Sequence, residues 1–217
     1  MALVKFAYAD PPYIGQAKKH YGKEASYAGE VDHAQLMARL VDEYPDGWAL
    51  SLSSPTLPQI LALCPDGVRV MAWVKPFASF KPNVGVAYCW EPVIVSGGRK
   101  RTRTQRTVRD YVSANITLRK GLSGAKPKEF CFWLFDVLNV QPDDVVDDLF
   151  PGTGAVTSAL AEYKTRIEFS EADAAIFAAH SLNGARLMLK QAEDENAALR
   201  ELITPQTPNP QTGEKGE

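Results

Sequence analysis

The sequence of 217 residues predicts an α/β fold with a largely parallel sheet. Three observations carry that prediction. Short apolar runs of β character alternate along the chain with segments whose apolar residues recur every 3.6 positions. Proline and glycine punctuate the ends of those runs. The composition, 45% hydrophobic and 23% charged, is that of a globular domain and excludes wholesale disorder.

The elements follow in order. Ala2–Ala9 reads as a strand halted by Pro11-Pro12, and residues 14–30 as a glycine-containing loop. Asp32 is placed to cap a helix over Val31–Tyr44, where Ala34, Met37, Leu40, Val41 and Tyr44 keep a helical period. Pro45-Asp46-Gly47 ends it, Trp48–Ser53 is a strand, and Ser54-Pro55 opens a short helix through Leu63. Val68–Val74 and Val84–Val95 are β runs, the second closed by Gly97-Gly98. The basic stretch after it has no apolar period and reads as loop with short helix. Lys126-Pro127 precedes a helix over Glu129–Leu138, and Val145–Phe150 is a buried strand. Ala155–Tyr163 is helical, Arg166–Phe169 a strand, and Ala172–Ile203 mostly helix. One domain over 1–203 is expected, followed by a disordered tail over 204–217, where Pro and Gly are dense and apolar anchors are lacking.

Several function classes are disfavoured. No run approaches the ~18 apolar residues that span a bilayer, and Asp10-Pro11-Pro12 interrupts the N-terminal apolar stretch, so a soluble, cytoplasmic protein is expected. Cys64, Cys89 and Cys131 form no CxxC pair and read as buried small hydrophobes, while His20, His33 and His180 lack metal-ligand spacing. No metal is expected. Trp73, Trp90 and Trp133 read as core residues.

The formal net charge of −2 conceals an asymmetry. Between Gly97 and Lys128 ten Lys/Arg face one acid, a local charge of +9, whereas the rest carries 14 bases against 25 acids. A basic insert over 97–124 in an acidic body points to a polyanion.

Two short motifs sit where a parallel sheet places ligands, beyond the carboxyl ends of strands. Asp10-Pro11-Pro12-Tyr13 occurs by chance in roughly one such chain in a thousand. Its prolines fix φ and remove two donors, leaving the Asp10 and Pro11 carbonyls free. A carboxylate, a bare carbonyl and an aromatic ring together suit a flat group with an exocyclic amine, which donates to the oxygens while the ring stacks. Asp147-Asp148-Leu149-Phe150-Pro151-Gly152-Thr153-Gly154 runs from strand to helix, and its glycines admit a close ligand. Thr157 stands where a dinucleotide fingerprint has its third glycine, and no G-K-[ST] follows, so neither NAD nor a P-loop nucleotide is favoured. Glu168 is expected at the tip of the next strand, where an acid binds ribose hydroxyls.

These residues, in this order, resemble the S-adenosylmethionine-dependent DNA adenine-N6 methyltransferases of permuted motif order. That family has D-P-P-Y first, a basic target-recognition insert in the middle, a K-P helix start and then the F-x-G-x-G loop. The resemblance covers roughly residues 2–190. It implies a Rossmann-like methyltransferase fold with S-adenosyl-L-methionine as cofactor and DNA as partner. It further implies catalysis by Asp10, Pro11, Pro12 and Tyr13. Cofactor contacts would come from Lys126, Asp148, Phe150, Gly152, Gly154 and Glu168. Phosphate contacts would come from Arg99, Lys100, Arg101, Arg103, Arg106 and Arg109. Two departures stand out: the insert is shorter than is usual for the family, and messenger-RNA adenosine methyltransferases carry Trp where this chain has Tyr13. Cytosine-N4 methylation is the nearest alternative, although that family more often has Ser before Pro-Pro. A non-catalytic nucleic-acid-binding relative is the other.

Overall fold

A computed structural model describes residues 4–15, 29–77, 84–116 and 125–203. Much of the loop expected over 14–30, the end of the basic insert (117–124) and the tail from Thr204 lie outside the described residues. In chain order the elements are β1 (Lys5–Ala9), α1 (His33–Glu43), β2 (Gly47–Ser51), a 3-10 turn (Ser54–Thr56) running into α2 (Leu57–Leu61), and β3 (Arg69–Val74). There follow β4 (Trp90–Gly97), β5 (Tyr111–Ser113), α3 (Lys128–Leu138), β6 (Val145–Asp148) and α4 (Ala155–Ile203).

The strands form one sheet in the order β5-β3-β4-β2-β1-β6. β1 is parallel to β2 and β6, and β3 to β5, whereas β4 is antiparallel to both its neighbours. Five strands therefore point one way and β4 runs against them. The expected α/β class with a mostly parallel sheet holds.

Side chains on β1 alternate between two cores, as a period of 2 requires. Phe6 and Tyr8 pack with Phe130, Leu134 and Phe135 of α3 and with Val156, Ala159 and Tyr163 of α4. Ala7 and Ala9 pack with Leu36, Met37 and Leu40 of α1 and with Ile60 of α2. Burial on both faces explains why β1 and β2 are almost continuously apolar. Asp32 caps α1 as expected, its Oδ1 accepting from the Ala34 and Gln35 amides at 3.0 Å.

The structure departs from the sequence reading in several places. β4 begins at Trp90 instead of Val84; Val86 is 83% exposed and Tyr88 60%, so their alternation serves no sheet. Cys89 in that stretch is exposed, against expectation, and so in good part is Trp90, whereas Trp73 and Trp133 are buried. The basic insert contains β5, where short helix was expected, because the free edge of β3 supplies a pairing partner that local propensity does not reveal. The strand expected over Arg166–Phe169 does not form. Those residues belong to α4, where Val156, Ala159, Leu160, Tyr163 and Ile167 share one helical face and no Gly or Pro interrupts Ala155–Asn183. The chain falls into two units, Met1–Glu168 and Phe169–Glu217. The second is helical through Ile203, with Phe169, Leu182, Leu187 and Leu189 exposed.

Candidate active site at the carboxyl edge of the sheet

The site is assembled at the edge where β1, β2, β3 and β6 end and the reversed β4 begins. β1 leads directly into Asp10-Pro11-Pro12-Tyr13, with Pro11 buried and the other three half-buried. Neither the Asp10 nor the Pro11 carbonyl accepts a backbone hydrogen bond among the described residues. Tyr8, the last large residue before the turn, is anchored by a buried 2.8 Å hydrogen bond between its hydroxyl and Ser51 Oγ on β2.

Lys126 precedes Pro127, which occupies the N-cap position of α3 in extended conformation. Its ammonium lies 2.7 Å from Asp10 Oδ2 and 3.8 Å from Glu91 Oε2. It also sits 5.5 Å from the Trp73 ring centre and 5.9 Å from that of Phe130. Glu91, second residue of β4, accepts from the Tyr13 hydroxyl at 2.8 Å and pairs with Lys75 at the end of β3. Asp10, Glu91, Lys75 and Lys126 thus form a balanced four-charge cluster closed by a phenol. The resemblance implies a cofactor contact for Lys126; in the structure its ammonium pairs with Asp10. Glu91 and Lys75 escaped the sequence reading, in which an isolated acid inside the apolar run Trp90–Val95 is the one available signal.

Burial pushes the Asp10 carboxyl up, against the pull of Lys126. Burial alone would lower the Lys126 ammonium, but Asp10 and Glu91 outweigh it and leave it above its ordinary 10.5. Burial, reinforced by Asp10 and Glu91, drives the Tyr13 phenol well above its usual range, so it stays protonated and donates. A prediction follows for Lys126→Met. With the ammonium gone, only the weaker pull of Lys75 opposes burial at Asp10, and a carboxyl ¹³C titration should place the Asp10 midpoint at higher pH than in the parent; an unmoved midpoint would refute the pairing. Because folding raises the Lys126 value, the ammonium's own contribution to stability is fully present below about pH 10.5 and is lost as pH rises through the folded value.

The second half of the site is the loop after β6. The Leu149 amide donates to the Tyr8 carbonyl at 2.9 Å, tying the loop to β1. Gly152 (φ 45°) and Gly154 (φ 72°) are left-handed, and the Gly154 amide closes a turn onto the Pro151 carbonyl at 2.6 Å. A Cβ on Gly154 would meet nothing within 4 Å, and one on Gly152 only the Phe150 carbonyl at 3.8 Å. The space above the loop is therefore open. Asp148 directs one oxygen to the Phe150 amide at 3.3 Å, while its buried Oδ2 has no partner in the protein. Burial raises this carboxyl too, with the Phe150 amide opposing.

With this geometry in view, the solved structures offer a match. The fold aligns with the crystal structure of the M1.HpyAVI–SAM complex at a TM-score of 0.51 and 16% sequence identity, over 75% of this chain and 80% of that one. The fold is Rossmann-like. The crystal structure of M1.HpyAVI aligns at a TM-score of 0.48 and 15% identity, over 75% of this chain and 77% of that one. No protein-family model matches the sequence, and no curated protein is significantly similar to it.

Other expected site residues fall elsewhere. Glu168 is exposed on α4, thirteen residues of helix, or about 20 Å of helix axis, beyond Ala155. The basic insert leaves the sheet at the opposite, amino edge. Gly97 pairs with Gly47 at the start of β2, about 24 Å along β4 from Trp90. Arg99 is committed to Asp144, whose side chain is 2% exposed, and Arg101 caps α3 through the Asp136 carbonyl. Lys100, Arg103, Arg106 and Arg109 are exposed, the last lying against the Tyr111 ring at 5.9 Å. Asn139, left-handed at the end of α3, braces their loop by donating to the Arg99 and Lys100 carbonyls at 3.3 and 3.4 Å. Arg106 and Arg109 border a groove of about 640 Å³ along α3, shared with Tyr111, Phe132 and Trp133.

Among the described residues no group of His, Cys, Asp or Glu is placed to hold a metal ion, and no helix is long and apolar enough to cross a membrane.

Proposed function

We propose that this protein is an S-adenosylmethionine-dependent DNA methyltransferase acting on the N6 amine of adenine. The observation that carries the reading is the joint placement, at one sheet edge, of the Asp10–Tyr13 turn and the left-handed glycine loop with its unpartnered Asp148 oxygen. The residues fit the cofactor: open space lies over Gly152 and Gly154, and Asp148 lacks a donor that a ligand ammonium or hydroxyl would provide. Phe150, Gly152, Gly154 and Asp148 would hold it, and when bound it supplies an electrophilic methyl group.

The chain's own residues act on the amine. Adenine N6 is a poor nucleophile because its lone pair is conjugated with the ring. Asp10 and the Pro11 carbonyl accept hydrogen bonds from its two N–H groups and turn that lone pair out of conjugation, while Tyr13 stacks on the flipped base. Lys126 fixes the Asp10 carboxylate before substrate arrives, so the acceptor is not reorganised during the reaction. The test is incubation with labelled-methyl cofactor and mixed DNA, followed by nucleoside analysis. N6-methyladenine is expected; N4-methylcytosine would reassign the target, and no product would leave a non-catalytic relative.

Phosphate contacts are assigned to Lys100, Arg103, Arg106 and Arg109, the exposed members of the basic insert other than Arg101, whose guanidinium is engaged by the Asp136 and Arg106 carbonyls. Lying towards the amino edge and along α3, they would hold backbone flanking the target. Replacing Lys100, Arg103 and Arg106 with Ala should flatten the slope of log K against log salt by up to about 3, since each phosphate contact contributes about 0.9. An Arg101→Ala control should leave the slope alone and lower stability by loosening α3. An unchanged slope in the triple variant would make the loop a solubilising one.

A further inference from the structure

Glu91 belongs to no motif, yet three site residues converge on its carboxylate. One oxygen takes the Tyr13 hydroxyl at 2.8 Å and faces Lys126 at 3.8 Å; the other is held by Lys75. Its side chain is 17% exposed and that of Lys75 15%, so neither charge is a solvated surface group. Lys75 is steadied in turn by the Trp73 ring, 4.6 Å from its ammonium. The two functional halves of the Asp10–Tyr13 turn are therefore tied to one carboxylate. Tyr13 is tied to it directly, and Asp10 through Lys126.

We propose that Glu91, clamped by Lys75, is a positioning residue that sets the Tyr13 ring for base stacking and braces Lys126 against Asp10. The proposal rests on the methyltransferase reading above and adds to it a residue that acts through Tyr13 and Lys126. Its two arms are separable by chemistry. A Gln at 91 still offers an oxygen to the Tyr13 hydroxyl but no charge to Lys126. A Phe at 13 removes the hydroxyl and leaves the charge cluster intact.

The full-length chain is assayed with labelled-methyl cofactor and mixed DNA. Tyr13→Phe should act mainly on KM for DNA, raising it about tenfold, the worth of one hydrogen bond to a charged acceptor. Glu91→Gln should act mainly on kcat, and Glu91→Ala on both. Adding Tyr13→Phe to Glu91→Ala should raise KM no further, because the bond is already lost. If Glu91→Gln and Tyr13→Phe move the same parameter, or if neither moves one, the proposal is overturned. Should Glu91→Ala fail to fold, the Gln and Phe variants decide, since both preserve volume. A turnover-independent reading comes from ¹³C-tyrosine NMR with the Tyr13 signal assigned by its loss in Tyr13→Phe. That signal should shift in Glu91→Ala and hold nearly still in Glu91→Gln; no shift in Glu91→Ala refutes the coupling. Absence of methyl transfer by the parent protein would defeat the functional reading alone, and the NMR result would still stand for or against Glu91.

Discussion

Asp10→Asn should lower methyl transfer by 10²–10³ while leaving cofactor affinity within about twofold. The magnitude is that of removing one preorganised polar partner from a developing charge, about 2.7–4 kcal/mol. Asn keeps the volume and one acceptor oxygen, but it removes the charge that attracts the amine hydrogens and places an NH₂ where the carboxylate stood. Asn is the better variant for a physical reason. Asp10→Ala would leave Lys126, whose side chain is 6% exposed, with only the more distant Glu91 as counter-ion. Breaking a buried pair typically costs about 3–5 kcal/mol, and that loss of stability would be confused with a loss of catalysis. Initial rates of label incorporation, with calorimetric cofactor titration beside them, test the assignment. A rate within tenfold of the parent would remove Asp10 from the reaction.

Gly152→Val should abolish measurable cofactor binding in a protein that still folds. Two effects add. A β-branched residue at φ 45° is a genuine outlier, and left-handed backbone costs roughly 1–2 kcal/mol for a residue with a Cβ. Strain of 1.4 kcal/mol is already tenfold in affinity if the loop relaxes out of its binding shape. The side chain also fills the open space over the loop, since the protein itself presents only the Phe150 carbonyl at 3.8 Å. Gly67→Val is the matched control: φ there is 84°, nothing lies within 4 Å of its Cβ, and it sits in the turn before β3. The control should pay the strain in stability and keep its cofactor affinity. Equal affinity in both variants would take the Gly152 loop out of the site.

Much of the molecule is legible in the sequence. Elements bounded by Pro or Gly, or showing a sustained period, came out within a few residues of their structural limits: α1, β2, β3, α3 and β6. The signals there are local, a cap at Asp32, a break at Pro45 and a proline at the α3 entry. β4 was misplaced at its start because period-2 alternation over Val84–Tyr88 has no structural meaning without a neighbouring strand. The strand expected at Arg166–Phe169 was lost to an unbroken helical face on α4.

By itself the sequence determined the α/β class, the stiff Asp10–Tyr13 turn and the glycine loop after β6. These depend on backbone chemistry carried by the residues themselves, φ fixed by proline or freed by glycine, so neighbours in space are not needed to read them. Tertiary structure alone decided how the site is wired. Asp10 meets Lys126 across 116 positions, and Tyr13 meets Glu91 across 78. It also decided that β4 runs backwards, which brings Glu91 to the edge that carries the Asp10–Tyr13 turn and starts the basic insert at the other. Strand direction is set by which edges pair and which faces are buried, a property of the assembled sheet that no local pattern encodes.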